Sequence, residues 1–135
     1  MASKSPRPVR VTLGAGNAVA TVGVKDVKAA RQFYEETLGL TVEEIHGSDV
    51  VTYASGDSRL LVYQSAYAGT NKATCVTWTS RDVDAVAGGL KARGVRFEHY
   101  DLPNMKREGD VHVSGEMRAA WFRDPDGNIL AVVSG

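Results

Sequence analysis

VATVGVKDVKAARQFYEETLGL, residues 19–40, and CVTWTSRDVDAVAGGLKARGVR, residues 75–96, follow one pattern. Each begins with an apolar, β-branched run, meets an Asp, continues with apolar residues at helical spacing and closes near a Gly. The two Asp residues, Asp26 and Asp82, lie 56 positions apart. Repetition at such a period indicates two copies of one supersecondary unit, and two such units must share a core or a site between them. Function is therefore to be sought where the copies meet.

Working outward, residues 19–24 read as a strand and Asp26 as an N-cap whose carboxylate accepts from the free N–H groups of the next turn. Val27, Ala30, Phe33, Tyr34 and Leu38 then form one helical stripe, which Gly39 ends in a left-handed conformation. Three short strands follow at about 41–45, 50–55 and 59–64, separated by the turn sequences HGSD and SGDS. The small, polar stretch SAYAGTNK, 65–72, reads as a linker. The order then repeats: a strand at 73–79, a helix capped by Asp82 with Val83, Val86, Leu90 and Ala92 on its stripe, and a strand at 95–100. An irregular segment covers 101–116, and strands at 117–123 and 129–133 flank the turn DPDGN. Eight strands in two βαβββ units predict an α+β fold: a cupped mixed sheet with helices outside and a cavity within. The expected organisation is an arm at 1–10 and one domain over 11–135, with module one at about 17–64, the linker at 65–72 and module two at about 73–133.

Composition narrows the function classes. The chain has 135 residues, 43% of them hydrophobic and 24% charged, as expected of an ordinary globular domain. Sixteen basic and sixteen acidic residues cancel, which gives no electrostatic reason to expect a nucleic acid or an acidic membrane surface as partner. The single Cys75 excludes an internal disulfide framework and suits a reducing cytoplasm. No apolar run approaches the roughly 20 residues that cross a bilayer, and MASKSPRPVR has no apolar segment behind it to make a signal peptide.

VKDVKAARQFYEETLGL, SRDVDAVAGGLKARGVRF and AAWFRDPDGNILAV, taken in order, resemble the vicinal oxygen chelate superfamily over roughly residues 17–133. That superfamily includes glyoxalase I, extradiol dioxygenases, fosfomycin-modifying enzymes, methylmalonyl-CoA epimerase and bleomycin-resistance proteins. The resemblance implies paired βαβββ modules around a cupped sheet, commonly as a homodimer. Its enzymes hold a divalent metal with His, Gln or Glu side chains inside the cup, for Lewis-acid chemistry on vicinal oxygens. Carried onto this sequence, the ligand positions fall on Val19, on Cys75, near Tyr63 and on Ala131. Valine and alanine donate nothing to a metal, and a site ordinarily needs at least three protein ligands. No metal and no other cofactor is therefore expected.

Strand parity selects the residues that look into the cup. Thr21 goes with Val19, Thr77 with Cys75, Leu61 with Tyr63, and Ile129 and Val133 with Ala131. Tyr53, Tyr100 and Trp121 offer aromatic surface, and His112 offers an imidazole from the 101–116 segment, itself either a lid or a loop without duty. Trp78, of opposite parity to Cys75, reads as core; His46 reads as a solvated turn residue. Cys75 is either a small buried hydrophobe or a thiolate nucleophile. Arg118 and Arg123 either bind a carboxylate or extend into solvent.

The candidate ligand-binding set is thus Val19, Thr21, Tyr53, Leu61, Tyr63, Cys75, Thr77, His112, Trp121 and Ala131. It suits a hydrophobic or aromatic small molecule bound without metal, as in sequestration. Two alternatives stay open: a lyase, isomerase or dioxygenase acting through Tyr63, Cys75 or His112 or a displaced metal, and an interaction module whose cavity is only packed core.

Overall fold

The computed structural model describes residues 12–135, so the arm expected at 1–10 lies outside the described residues. Each half of the chain builds a sheet, of four strands in the first and six in the second. Both open on a parallel pair made by the half's first and last strands. In the first, β1 (Ala20–Val24) runs parallel to β4 (Ser58–Gln64), followed antiparallel by β3 (Val50–Ser55) and β2 (Thr41–His46). In the second, β5 (Thr74–Ser80) runs parallel to β10 (Ile129–Ser134), followed by β9 (Met117–Arg123), β8 (Val111–Ser114) and β7 (Lys106–Glu108). A short β6 (Phe97–Glu98) pairs with the end of β9 that β8 leaves free. The mixed α+β architecture is the one the repeat predicts. The segment 101–116 is more regular than its sequence suggests: β7 and β8 form a hairpin about Gly109, whose φ is 64°. Strands of three and four residues are too short to show a period.

Both helices begin as their Asp residues dictate. Asp26 Oδ1 accepts from Lys28 N at 3.0 Å, and Asp82 Oδ1 accepts from Ala85 N at 3.0 Å. The first helix is α-helical only over α1 (Val27–Arg31) and continues as a π-helical turn, Gln32–Thr37, closed by Leu38 N donating to Phe33 O at 2.9 Å. From the widened turn, the Tyr34 hydroxyl donates to Asp124 Oδ2 at 2.6 Å, and Glu35 accepts from the Tyr53 hydroxyl at 2.9 Å. Helix α2 (Val83–Ala92) buries Val83, Ala87 and Leu90, whereas Val86, on the expected stripe, is 36% exposed. Gly39 and Gly94 end the two helices at φ 77° and 93°, where a side chain would be strained.

The two sheets share one core. Val22, Val24, Val51, Tyr53, Leu60 and Val62 of the first meet Val76, Phe122 and Leu130 of the second, with Val27, Ala30, Tyr34 and Leu90 from the helical segments. By strand alternation the other face of each sheet points away from this core, so the halves are joined through their buried faces. The joint is polar at its centre. Asp124, only 4% exposed, accepts from Tyr34 Oη, from Asn128 Nδ2 and N at 2.8 Å each, and from Asp126 N at 3.0 Å. Asn128 Nδ2 also donates to Gly23 O at 2.8 Å, and Asp126 Oδ2 accepts from Lys25 N at 2.9 Å, which fastens the 124–128 turn to the end of β1.

Removing Asp124 would leave Tyr34 and Asn128 as buried donors without their acceptor. Asp124→Ala is expected to lower the unfolding free energy by about 3 kcal/mol, and Tyr34→Phe by about 1–2 kcal/mol. Urea unfolding followed by far-UV circular dichroism measures both. A loss under about 0.5 kcal/mol for both, the range of ordinary surface substitutions, would show that the joint does not depend on this network.

Candidate functional site

The outward face of the second sheet carries a compact aromatic group. Trp121 on β9 stands beside Ala131 on β10, which stands beside Thr77 on β5. His112 on β8 reaches the same face beside Ala119. The Trp121 indole crosses β10 and donates from Nε1 to Thr74 Oγ1 at 3.1 Å. Tyr100 meets it edge-on with ring centroids 5.4 Å apart, and His112 does the same at 4.9 Å. Edge-to-face contacts of this kind are worth about 0.5–1.5 kcal/mol each beyond the area they bury, and they hold the indole in one orientation.

His112 is 1% exposed. Its Nε2 accepts from Tyr100 N at 2.9 Å, so in the neutral ring the proton sits on Nδ1. That Nδ1 is buried and has no hydrogen-bond partner among the described residues. A buried donor left unpaired is uncommon in a folded protein. Burial, and secondarily Glu98, pushes the Tyr100 phenol above its ordinary range, so Tyr100 presents a neutral hydroxyl at neutral pH.

Next to this group opens a cleft of about 670 Å³. Its walls are Trp121, Tyr100, Leu102 and Ile129 on one side and the connecting segment from Gly69 to Thr74 on the other, with Lys72 and Arg123 at the edge. The connecting segment is fixed: Gly69 N donates to Asn128 Oδ1 at 3.2 Å, and a Cβ at Gly69 would collide with Asp126 O. Arg123 is held by Glu98 and by Gly127 O, and Arg118 by Asp84 and Glu108. Both arginines pair with carboxylates of this chain while their side chains stay partly in solvent, 30% exposed for Arg118 and 47% for Arg123.

The sequence candidates divide into three groups. Trp121, Ala131, Thr77 and His112 share the open face of the second sheet, although Ala131 and His112 lie beneath its surface. Thr21, Leu61 and Tyr63 share the open face of the first, where Tyr63 is 38% exposed and Val19, just before β1, is 43% exposed. Tyr53 and Cys75 belong to neither face. Tyr53 pairs with Leu60, not with Leu61, so its side chain enters the core, stacks on Tyr34 and is fully buried. The register shift between Ile129 and Leu130 skips Cys75, whose thiol turns to Ile129 O at 3.3 Å against the shared core. Thr70, Lys72, Thr74 and Leu102 line the cleft without any prior sign in the sequence, because connecting segments carry no periodicity to place them.

Of the remaining imidazoles, His46 lies at the end of β2 with Glu44 at 3.0 Å. His99 lies between Asp110, at 2.7 Å from Nε2, and Arg107, at 2.9 Å from Nδ1. Both are exposed, and neither lines the cleft, although His99 directly precedes Tyr100, which does.

A family model described as the glyoxalase/bleomycin resistance protein/dioxygenase superfamily matches residues 17–132, and the chain belongs to that superfamily. Comparison with curated protein sequences gave no match. Among solved structures, a lactoylglutathione lyase from Agrobacterium tumefaciens is similar at 18% identity and a TM-score of 0.67, over 90% of this chain and 94% of that one. An antibiotic binding protein from Streptomyces sp. CB03234 is similar at 24% identity and a TM-score of 0.62, over 86% and 92%. A superfamily member from Sphaerobacter thermophilus is similar at 27% identity and a TM-score of 0.62, over 92% and 100%.

The metal implied by this superfamily does not fit the residues at its usual positions. Val19 and Ala131 carry no donor atom, Tyr63 stands on the first sheet's open face, and Cys75 is turned into the joint. Among the described residues no group of three or more His, Cys, Asp or Glu side chains is placed to hold an ion. Burial first, then the charge of Asp124, pushes the Cys75 thiol above its ordinary range, so the thiolate fraction at neutral pH is lower than that of a free cysteine. Cys75 is expected to react with Ellman's reagent at pH 8 at least about tenfold more slowly than free cysteine. Its rate should still be climbing with pH where the free thiol has levelled off. Labelling as fast as free cysteine would overturn this placement of the thiol.

Proposed function

We propose that this superfamily member binds a hydrophobic or aromatic small molecule against Trp121, without a metal, by sequestration and not by turnover. The observation that carries the reading is the fixed indole at the edge of the 670 Å³ cleft. Its N–H is already taken by Thr74, and its ring is braced by Tyr100 and His112, so it offers a flat apolar surface with no polar demand. Clefts of roughly 300–1,000 Å³ that are mainly apolar, with a few placed polar groups, are the usual form of small-molecule sites. Thr70, Thr74 and Lys72 supply those polar groups here. Each 100 Å² of apolar ligand surface removed from water would contribute about 2.5 kcal/mol before the entropic cost of association.

A homodimer belongs to the same reading. The first sheet's open face leaves Tyr63 38% exposed, with Val19 just before β1 43% exposed, and the cleft over Trp121 includes none of Thr21, Leu61 or Tyr63. A second copy laid on these faces would bury them and bring the hydroxyls and phenol of one chain to the indole of the other. The unit so assembled would be the single domain, 11–135, with modules 17–64 and 73–133. Zero formal charge gives no basis for a nucleic-acid partner, and an unpaired thiol suits the cytoplasm. Among the described residues no helix is long and apolar enough to cross a membrane.

A second reading, an enzyme of the glyoxalase type, rests on His112. Its unpaired Nδ1–H is the one acid/base group buried within the aromatic cluster, and a ligand oxygen reaching it would accept that proton's hydrogen bond. The lyase and the antibiotic binding protein named above bear on fold, at identities of 18% and 24%, and do not choose between the two readings.

In a Trp78→Phe variant, Trp121 is the sole indole. Titration with a panel of aromatic compounds is expected to change its emission saturably, with one ligand per chain. Trp121→Ala should weaken binding by about tenfold or more, about 1.4 kcal/mol, with the far-UV spectrum unchanged. Metal-dependent turnover of a bound compound would overturn the sequestration reading. By light scattering, the mass in solution is expected to be twice the chain mass of 14.5 kDa, and a value of 14.5 kDa would overturn the dimer.

A further inference from the structure

A second cavity, of about 410 Å³ and open to solvent on one side, lies at the junction of the two halves. The first half contributes the stretch after the π-helical turn, from Leu38 to Thr41, and the β3–β4 hairpin around Ser55. The second contributes Trp78, Phe122, Val132 and the Val86–Leu90 side of α2. None of these positions takes part in the cleft over Trp121.

The chemistry of the lining is one-sided. No Asp, Glu, Lys, Arg or His faces the cavity; its polar groups are the hydroxyls of Thr41, Ser55, Thr79 and Ser80 and the backbone. Trp78 Nε1 is already committed to Ser55 Oγ at 2.9 Å, so the indole presents ring and not N–H. Gly39, Ala54 and Gly56 leave the space that larger side chains would have filled. At the mouth stands Val86, 36% exposed on the same helix side that buries Val83 and Leu90. Among the described residues nothing covers it. A charged compound would find no counter-ion here and would lose its hydration. An uncharged, mainly apolar one would gain by burial.

We propose that this junction is a second small-molecule site, distinct from the cleft over Trp121, and that it takes a compact, uncharged, mainly apolar compound. Such a ligand touches both halves at once and so stabilises the folded chain by mass action. Its occupancy would tighten the joint instead of filling an outward face.

The chain's two tryptophans separate the sites, since Trp78 lines one and Trp121 the other. The probe is N-phenyl-1-naphthylamine, which is uncharged, compared with 8-anilinonaphthalene-1-sulfonate, which has the same ring skeleton and a negative charge. In Trp121→Phe, where Trp78 is the sole indole, the uncharged probe is expected to quench tryptophan emission saturably and to raise the thermal midpoint. The sulfonate should bind at this site at least tenfold more weakly. Val86→Phe, which fills the mouth, and Val86→Arg, which charges it, should each reduce quenching of Trp78 at least tenfold. Both substitutions are at a partly exposed position, so a folded protein is expected, and circular dichroism checks this. Quenching of Trp121 alone, equal binding of the two probes, or unchanged binding in both Val86 variants would overturn the proposal. The cleft over Trp121 would survive any of these results, because its own test reads the other indole.

Discussion

A buried carboxyl group, Asp124, ties the two halves of this fold together. Its oxygens accept hydrogen bonds from the first helix through Tyr34 and from its own turn through Asp126 and Asn128. Each group that satisfies Asp124 leads onward. Tyr34 carries the helix onto the first sheet, where it stacks on Tyr53; Asn128 carries the turn onto β1 through Gly23 O and onto the connecting segment through Gly69 N. A carboxylate stripped of water is tolerated only when its lone pairs are all used. The helix, the strand and the connector must therefore arrive together, and the sheets then have only one way to meet. The cleft over Trp121 inherits that precision, since one of its walls is the connector fixed by Gly69.

The local devices were legible in the sequence. Asp26 and Asp82 announce helix starts, Gly39 and Gly94 announce helix ends, and the DPDGN run announces a tight turn; all of these act within a few residues of themselves. The role of Asp124 was not legible, because the bond from Tyr34 spans 90 positions and no local pattern records it. The face assignments show the same boundary. Parity within one strand is readable: Leu61 and Tyr63 share a face of β4, and only the register with β1 adds Thr21 to it. Register between strands is not readable from spacing, and Tyr53, expected to offer aromatic surface to the cup, pairs with Leu60 and enters the core. One skipped residue opposite the Ile129–Leu130 step was enough to turn Cys75 from the face to the joint. The π-helical turn is likewise invisible to an apolar stripe, which it leaves nearly intact.

Two surfaces of different character result. The outward face of the second sheet is aromatic and braced, with Trp121, Tyr100 and the buried His112 in mutual contact. The outward face of the first is a mixture of hydroxyl, phenol and aliphatic groups around Thr21, Leu61 and Tyr63, with Arg59 paired to Glu43 at 2.5 Å. The superfamily's metal positions are spread over both, and in this chain they carry a valine, a tyrosine, an alanine and a thiol that looks inward. The superfamily's scaffold is present, and the positions carried over from the sequence resemblance hold no His, Gln or Glu. Scaffold and chemistry are separable in this way because function resides in the site and not in the fold.

The common core also governs how the two repeats can change over time. Val22 and Val24 of the first repeat lie in one cluster with Phe122 and Leu130 of the second, so enlarging or shrinking any of them alters the room left for the others. On that side the repeats are bound to drift in step, each amino-acid exchange restricting the next in the opposite half. Within one chain the open faces are less tied to one another, since Thr21, Leu61 and Tyr63 on one and Thr77 and Trp121 on the other lie outside that cluster. A lineage can therefore rewrite one outer surface while the other, and the interior, stay as they were. A duplicated ancestor with two equal surfaces has in this way an open route to a descendant with two unequal ones.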